Sequence, residues 1–517
     1  MEEDWGTERK GPDVKRKIKC DEDKPACYRC TSTGRHCGGY QPPELRVVPR
    51  RLLHNVQAEG LLVTSLATSN DEHRAFEQFL RSGTSALGCQ ADADLWRSEI
   101  PQLFHSEPSI RHAAIAIGSL LVRNDFEYLR RKYPTRVPAV SDYNCEDEFA
   151  IDHYQKAIRS TLTAIEDGTG NASIAGITCL LFFSIEALQG HEKEALQLFE
   201  SGNKAQLRPG AGTTSDSLTE SFSRLAVQWS MFEGHVADIS EHYMEPTEPI
   251  TSIFEAQKEL TRLILLAFKV AADGFPLKWT PPSPSIVAQG QGDCREAWRE
   301  LNCRERNLHN ALQLWHTRFL AYTNRHPHKT QTMEDTIWCG ILLLRYRSIF
   351  FWLIGSMERS ELIYDKYLPQ FKLAVAGARE TLTLMEQSGR MLPFSVELGV
   401  IPPLYIIISK CRDPMVRREA LAVLRRAPVQ ESLWNRDIII QVSERIIELE
   451  EGSDGFIHDF PPDMAGMVIP ESMRLKFVKI GLRTIHEDGR KGDFVEFHSL
   501  PHGFKREWCV SHEFFAA

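Results

Sequence analysis

Residues 15–30 read Lys15-Arg16-Lys17-Ile18-Lys19-Cys20-Asp21-Glu22-Asp23-Lys24-Pro25-Ala26-Cys27-Tyr28-Arg29-Cys30, and Gly34-Arg35-His36-Cys37 follows closely. The four cysteines stand as C-x6-C-x2-C-x6-C. Thiolates at short intervals are zinc ligands, and Zn²⁺ takes four of them in a tetrahedron. The turn Cys27-Tyr28-Arg29-Cys30 puts two sulfurs on one metal, and Cys20 and Cys37 can fold back to complete the sphere. A unit of ~40 residues buries too little apolar surface to fold unaided, so the metal must supply most of its folding free energy.

Charge along the chain is uneven. The 517 residues carry a formal net charge of -9, yet residues 9–20 hold six Lys/Arg against the single acid Asp13. A basic stripe on an acidic chain predicts a small polyanion-binding unit attached to a larger body. That body has an ordinary globular composition, 42% hydrophobic and 25% charged. The eight cysteines outside the cluster share no repeated spacing, and the start, Met1-Glu2-Glu3-Asp4, is acidic. A secretory leader is therefore not expected, and a reducing compartment is. No stretch reads as the ~20 apolar residues of a membrane span. The best candidate, Gly340–Met357, is interrupted by Arg345 and Arg347.

The cysteine spacing, the basic run, the Lys24-Pro25 before Cys27 and the Gly34-Arg35-His36-Cys37 ending together resemble the fungal Zn2Cys6 (binuclear zinc cluster) transcription factors. In that family the pattern is C-x2-C-x6-C, a loop, then C-x2-C-x6-C, and six sulfurs hold two zinc ions. Cys20, Cys27, Cys30 and Cys37 align with the third to sixth cysteines. The first two should fall at positions 10 and 13, which are Lys10 and Asp13. Two intact zinc sites are therefore not expected. Three readings stay open: one four-sulfur zinc site, a distorted pair in which Asp13 replaces a sulfur, or either a knot that does not fold or a misjoined upstream segment that lost the missing pair.

The resemblance implies that Lys17 reads a CGG-type triplet of double-stranded DNA in the major groove. A lysine is a good donor to guanine O6 and N7. Lys15, Arg16, Lys19 and Lys24 would then hold phosphates or pack nearby. Read without the family, the same run is a nuclear-import patch or solvated charge, and the DNA-reading and import versions both place the protein in the nucleus. Residues 38–70 carry no heptad repeat, so a homodimer would have to form through the helical body; the alternative is a monomer on half-sites.

From about residue 70 the pattern is helical. Ser106-Glu107-Pro108 is a start signal, followed by Ile110, Ala113, Ala114, Ile117 and Leu120 at helical spacing. Further stripes run through 149–165, 172–189, 252–272, 330–356, 360–387, 414–426 and 432–450, with Asp413-Pro414 as another cap. The Pro/Gly-rich stretch 273–293 reads as a loop between two helical halves. Phe494-Val495-Glu496-Phe497 and the Asp488-Gly489 turn predict a single β-hairpin near the end. The expected architecture is all-α: a zinc module over residues 1–40, a linker over 41–70 and a multi-helix regulatory domain over 71–517.

The segments 106–113, 153–159 and 179–190 also resemble the family's helical regulatory region, in a branch that includes regulators of secondary-metabolite clusters and of sterol uptake. That implies an all-α domain used for regulation, in some relatives by a small apolar ligand on the helical domain. From the residues alone, Tyr154, Phe182 and Phe183 are core first. Glu450–Asp463 interleaves acids and aromatics, which suits either a coactivator-binding segment or an ordered loop. Arg417, Arg418, Arg425 and Arg426 read as a solvated helix face, and His112, His153 and His191 as surface or capping histidines. HExxH, P-loop, GxSxG and dinucleotide fingerprints are absent from the sequence, so nothing recommends an enzyme. The expected function is zinc-dependent, sequence-specific transcription regulation. The alternative is an interaction protein whose zinc knot no longer reads DNA.

Overall fold

The computed structural model describes residues 69–516, apart from 90–91, 133–143, 169–170, 207–214, 233–247, 280–290, 326–331, 390, 453–467, 487–488 and 505–506. All of the described residues belong to one compact unit within Leu62–Ala517.

The chain enters its helices at a capping box. Ser69 accepts from the Glu72 amide at 3.2 Å, and Glu72 returns a bond to the Ser69 amide at 3.3 Å, which starts α1 (Asn70–Gln78). Two π-helical turns follow, Phe79–Gly83 and Leu95–Glu99, the second leading into α2 (Ile100–Ser106). Then come α3 (Pro108–Lys132), α4 (Asn144–Glu166) and α5 (Ala172–Gln189). Helix α5 is capped by Asn171 and stops at Gly190, whose φ of 72° is left-handed and suits glycine. After α6 (Glu192–Gln206) and α7 (Asp216–Phe232) come α8 (Ile253–Trp279), α9 (Gln291–Arg325) and α10 (Met333–Met357). A 3-10 turn, Glu361–Tyr367, precedes α11 (Leu368–Gln387). The short strands β1 (Phe394–Ser395), β2 (Gln430–Glu431) and β3 (Trp434–Asn435) form a small sheet interleaved with α12 (Ile401–Lys410) and α13 (Pro414–Leu424). Helix α14 (Arg436–Glu451) closes the helical part. The Asp413 cap holds: its carboxylate accepts from the Met415 and Val416 amides at 3.1 and 3.0 Å.

Three expectations about elements change. The 273–293 stretch is helical as far as Trp279, with Pro276 inside α8. A proline near a helix end forfeits one backbone bond, and aromatic packing holds the turn: Phe275 meets Phe477 edge-on at 5.4 Å, and Trp279 meets Trp508 at 5.0 Å. The expected hairpin is a four-stranded antiparallel sheet of β4 (Leu475–Ile480), β5 (Thr484–Ile485), β6 (Lys491–Ser499) and β7 (Cys509–Ala516). Strand β6 is central: it pairs with β4 and β5 along one edge and with β7 along the other. Adjacent Phe514 and Phe515 break the two-residue alternation in β7 and hide that strand from pattern reading. Val495 and Phe497 of β6 bury against Ile438, Val442 and Ile446 of α14. Finally, α5 and α10 are long and apolar enough to cross a membrane, contrary to the sequence expectation. They are core helices here, with 61% and 56% of their apolar windows buried.

The predicted solvated arginine face divides in two. Arg417 and Arg418 are buried, at 0% and 6% exposure. Arg417 pairs with Glu450 and Glu451, and Arg418 reaches Glu451 at 2.9 Å. Arg412 binds Glu450 at 2.9 Å and lies 3.2 Å from Glu361. Their partners lie tens of residues away in sequence, so helical spacing could not reveal them. Arg425 and Arg426 do stay near the surface. The start of the acidic segment, Glu450-Glu451, is therefore structural, while 453–463 fall outside the described residues. His153 is also buried, at 2% exposure, with its Nδ1 3.1 Å from that of His112. Burial pushes both imidazoles below their ordinary pKa, His153 to about 4.

Burial alone would raise the Glu450 pKa, but the Arg412 and Arg417 guanidiniums outweigh it and bring it to about 2. A carboxylate held low in the fold stabilises above its unfolded pKa, and that contribution fades as pH falls toward about 2. Glu450→Ala should cost about 3–5 kcal/mol in urea unfolding at neutral pH, because two buried guanidiniums lose the carboxylate they share and keep only Glu361 and Glu451. Arg425→Ala, at a surface pair, should cost under about 1 kcal/mol. Equal losses would contradict this assignment.

Candidate functional site

A cavity of about 550 Å³ opens between α7, α8, α10 and α12, and β4 forms one of its walls. Helical spacing explains why α8 lines it: Thr261, Ile264, Phe268, Ala271 and Phe275 lie three or four residues apart on one face. Pro276 continues that wall and brings no N–H to the Ala272 carbonyl. Phe268 meets Trp352 of α10 edge-on at 5.7 Å, so much of the wall is aromatic.

One end of the cavity is built around Glu397. It accepts from Arg224 Nε and, at 2.9 Å, from Arg345 Nη2. Arg345 also donates to the Leu398 carbonyl at 3.0 Å. Behind Arg224 stands buried Asp92, which binds that arginine, the Ser221 hydroxyl at 2.6 Å and the Trp96 indole at 2.7 Å. Four residues from Arg224 on the same helical face, Gln228 donates to the Val396 carbonyl at 2.8 Å. Its Oε1 is buried with no hydrogen-bond partner, as is Trp434 Nε1 in the same cavity wall.

The other end gathers lysines. Arg345 and Gly355 both line the cavity from α10, and ten residues of helix separate the two ends by about 15 Å. Lys278 donates to the Gly355 carbonyl at 2.6 Å and lies 4.5 Å from the centre of the Trp279 ring. It is only 7% exposed, and among the described residues no carboxylate pairs with it. Lys410 is held by Glu361 at 2.9 Å and by the Lys476 carbonyl at 3.0 Å. Lys476 pairs with Glu471. Close packing at Gly355 closes this end: a Cβ there would lie 1.7 Å from the Tyr364 hydroxyl. Burial drives the Lys278 pKa down from 10.5 to about 8; Glu361 counters this, while Lys410 and Lys476 add to it.

The residues singled out from sequence are placed as follows. Cys20, Cys27, Cys30, Cys37, Lys15, Arg16, Lys17, Lys19 and Lys24 lie outside the described residues. Among the described residues, no group of three or more His, Cys, Asp or Glu could hold a metal ion. Phe182 and Phe183 are buried core as expected, Tyr154 donates to Glu186 at 2.7 Å, and none of the three lines the cavity. Sequence reading missed the cavity residues. Lys278 sat in a stretch taken for loop, and Arg345 was read only as an interruption of an apolar run. That second reading contained the one available signal, since a lone arginine in an apolar helix must find a buried partner.

Comparison with known proteins bears on the undescribed end of the chain. Residues 14–46 match the family described as "Fungal Zn(2)-Cys(6) binuclear cluster domain". The match begins just after positions 10 and 13, where the first two cysteines of the pattern are replaced. The chain is 24% identical to the Aspercryptin biosynthesis cluster-specific transcription regulator atnN of Emericella nidulans, over 92% of this chain and 91% of that protein. It is 25% identical to the transcription regulator lscL of Purpureocillium lilacinum, over 34% of this chain and 43% of that one. A shorter stretch, 11% of this chain and 12% of the relative, is 41% identical to the transcriptional regulatory protein moc3 of Schizosaccharomyces pombe. No solved structure matches.

The depressed Lys278 pKa makes a signed prediction. The folded protein holds this proton less tightly than the unfolded chain, so Lys278 costs stability below about 8 and that cost disappears as pH rises toward 10.5. Thermal unfolding across this range should show the melting temperature of Lys278→Met, relative to wild type, falling as pH rises. A difference that stays constant with pH would refute the assignment.

Proposed function

We propose that this chain is a fungal Zn(2)-Cys(6)-type transcription regulator that acts in the nucleus, reading DNA through its N-terminal module and taking a small effector in the cavity of its helical body; the family match and the named regulators it resembles support this. The observation that carries the DNA reading is the family match over residues 14–46, which holds four thiolates beside a basic run. The donor set Cys20, Cys27, Cys30 and Cys37 fits one tetrahedral zinc ion. It does not fit two ions sharing six sulfurs, because Lys10 and Asp13 stand at the first two positions. Bound zinc would supply the folding free energy of the module. Lys17 would donate to guanine in a CGG-type triplet, while Lys15, Arg16, Lys19 and Lys24 hold phosphates. The name of the relative atnN supports a biosynthetic gene cluster as the regulated target.

A second reading, an interaction protein whose module has lost DNA recognition, is favoured by those same replacements at positions 10 and 13. Two measurements on the full-length chain separate the readings. Elemental analysis should find about one zinc per chain, lost in Cys27→Ser. Lys17→Ala should weaken binding to a CGG-containing duplex by about 1–3 kcal/mol while leaving non-specific binding nearly intact. A zinc-free wild type with no preference for any duplex would establish the second reading.

A further inference from the structure

We propose that the cavity binds an amphipathic small molecule carrying one anionic group, a carboxylate by preference, which pairs with the Lys278 ammonium while its apolar body lies against Phe268 and Trp352. This rests on the reading of the cavity as an effector site and names the chemistry of that effector. A purely apolar ligand is the expectation it replaces.

Charge balance carries the argument. Six cationic side chains line the cavity, Arg224, Lys278, Arg345, Lys410, Lys476 and Lys479, against two carboxylates, Glu361 and Glu397. The two carboxylates are already engaged: Glu397 by both arginines, and Glu361 by Lys410 and Arg412. Lys476 is neutralised by Glu471. Lys479 lies 3.8 Å from Glu496. Lys278 is left over, buried and without a carboxylate in ion-pair contact, with one of its three N–H groups given to the Gly355 carbonyl. A desolvated ammonium of this kind is costly unless something anionic meets it; Glu361 and Glu358 act on it only from beyond ion-pair contact, and Glu361 is held by Lys410 and Arg412. An anion arriving through the cavity would cancel that cost.

The remaining walls define the rest of the ligand. A volume of about 550 Å³ falls in the ~300–1,000 Å³ range of small-molecule sites. The edge-on pair Phe268–Trp352 offers aromatic surface to a planar or elongated apolar body. Elsewhere in the lining, Gln228 Oε1 and Trp434 Nε1 are an acceptor and a donor without partners. Each suits a polar group of the ligand, a donor at Gln228 and an acceptor at Trp434.

The test uses the full-length protein and two fluorescent probes of matched shape, 1-pyrenebutyrate and the uncharged 1-pyrenebutanol. The acid should bind saturably, one per chain, and more tightly than the alcohol. Lys278→Met should weaken the acid by at least about tenfold while leaving the alcohol unchanged. Lys278→Arg, which keeps the charge, should retain acid binding above the level of the Met variant. Thermal unfolding of both variants confirms that they fold. Equal affinity for the two probes means a neutral effector and overturns the proposal. So does an unchanged acid affinity in a folded Lys278→Met protein. If neither probe binds saturably, the effector-site reading fails with it. Duplex binding, measured on the same preparation, shows whether the DNA-reading module stands independently of that result.

Discussion

Glu450 is the residue on which the C-terminal half of the body turns. Its carboxylate meets Arg412 from the connection just beyond α12, Arg417 from α13 and the Leu475 amide at the start of β4. One buried anion therefore ties three elements together, and Arg412 passes the connection on to Glu361, which in turn holds Lys410. Such a network contributes little net stability compared with apolar packing, because desolvation consumes most of the Coulomb gain. It contributes geometry. Charges buried this deeply tolerate few arrangements, so α12, α13, α14 and β4 are held in a single register. Strand β4 forms a cavity wall, so the shape of the cavity depends on that register.

The cavity and the network also share charge. Lys410 lies in both, and it adds to the positive field at Lys278. The basic character of the cavity thus follows from a structural device that uses up the nearby carboxylates. Glu361 and Glu397 face the cavity but are already paired, Glu397 with Arg224 and Arg345 and Glu361 with Lys410 and Arg412. What remains for a ligand is a cationic excess next to aromatic walls. A ligand that neutralises it would bias any equilibrium in which this end of the cavity opens or closes, by no more than its difference in affinity between the two states.

Much of the body was legible residue by residue. The stripe over 172–189 is α5, and Asp413-Pro414 starts α13, because periodicity and caps are local chemistry. The end of α8 was not legible. Pro276 and its neighbours carry loop composition, and tertiary contacts, among them those from Phe477 and Trp508 some two hundred residues later, hold the turn helical. Strand β7 escaped for a related reason: its pairing with β6 is a tertiary fact, and its side chains alternate too poorly to announce it. Arg417 was read with the wrong sign of exposure because its spacing matches a solvated face equally well.

The order of residues alone determined the helical class, most helix boundaries, and the spacing of sulfurs and cations near the N-terminus. Each of these depends on interactions within a few residues, where periodicity and ligand geometry leave little freedom. Tertiary structure alone decided which arginines are buried, that a sheet of four strands closes the body, and that Lys278 faces a cavity without a carboxylate in ion-pair contact. Those outcomes depend on which distant carboxylate reaches which cation first, and short-range spacing carries no record of that competition.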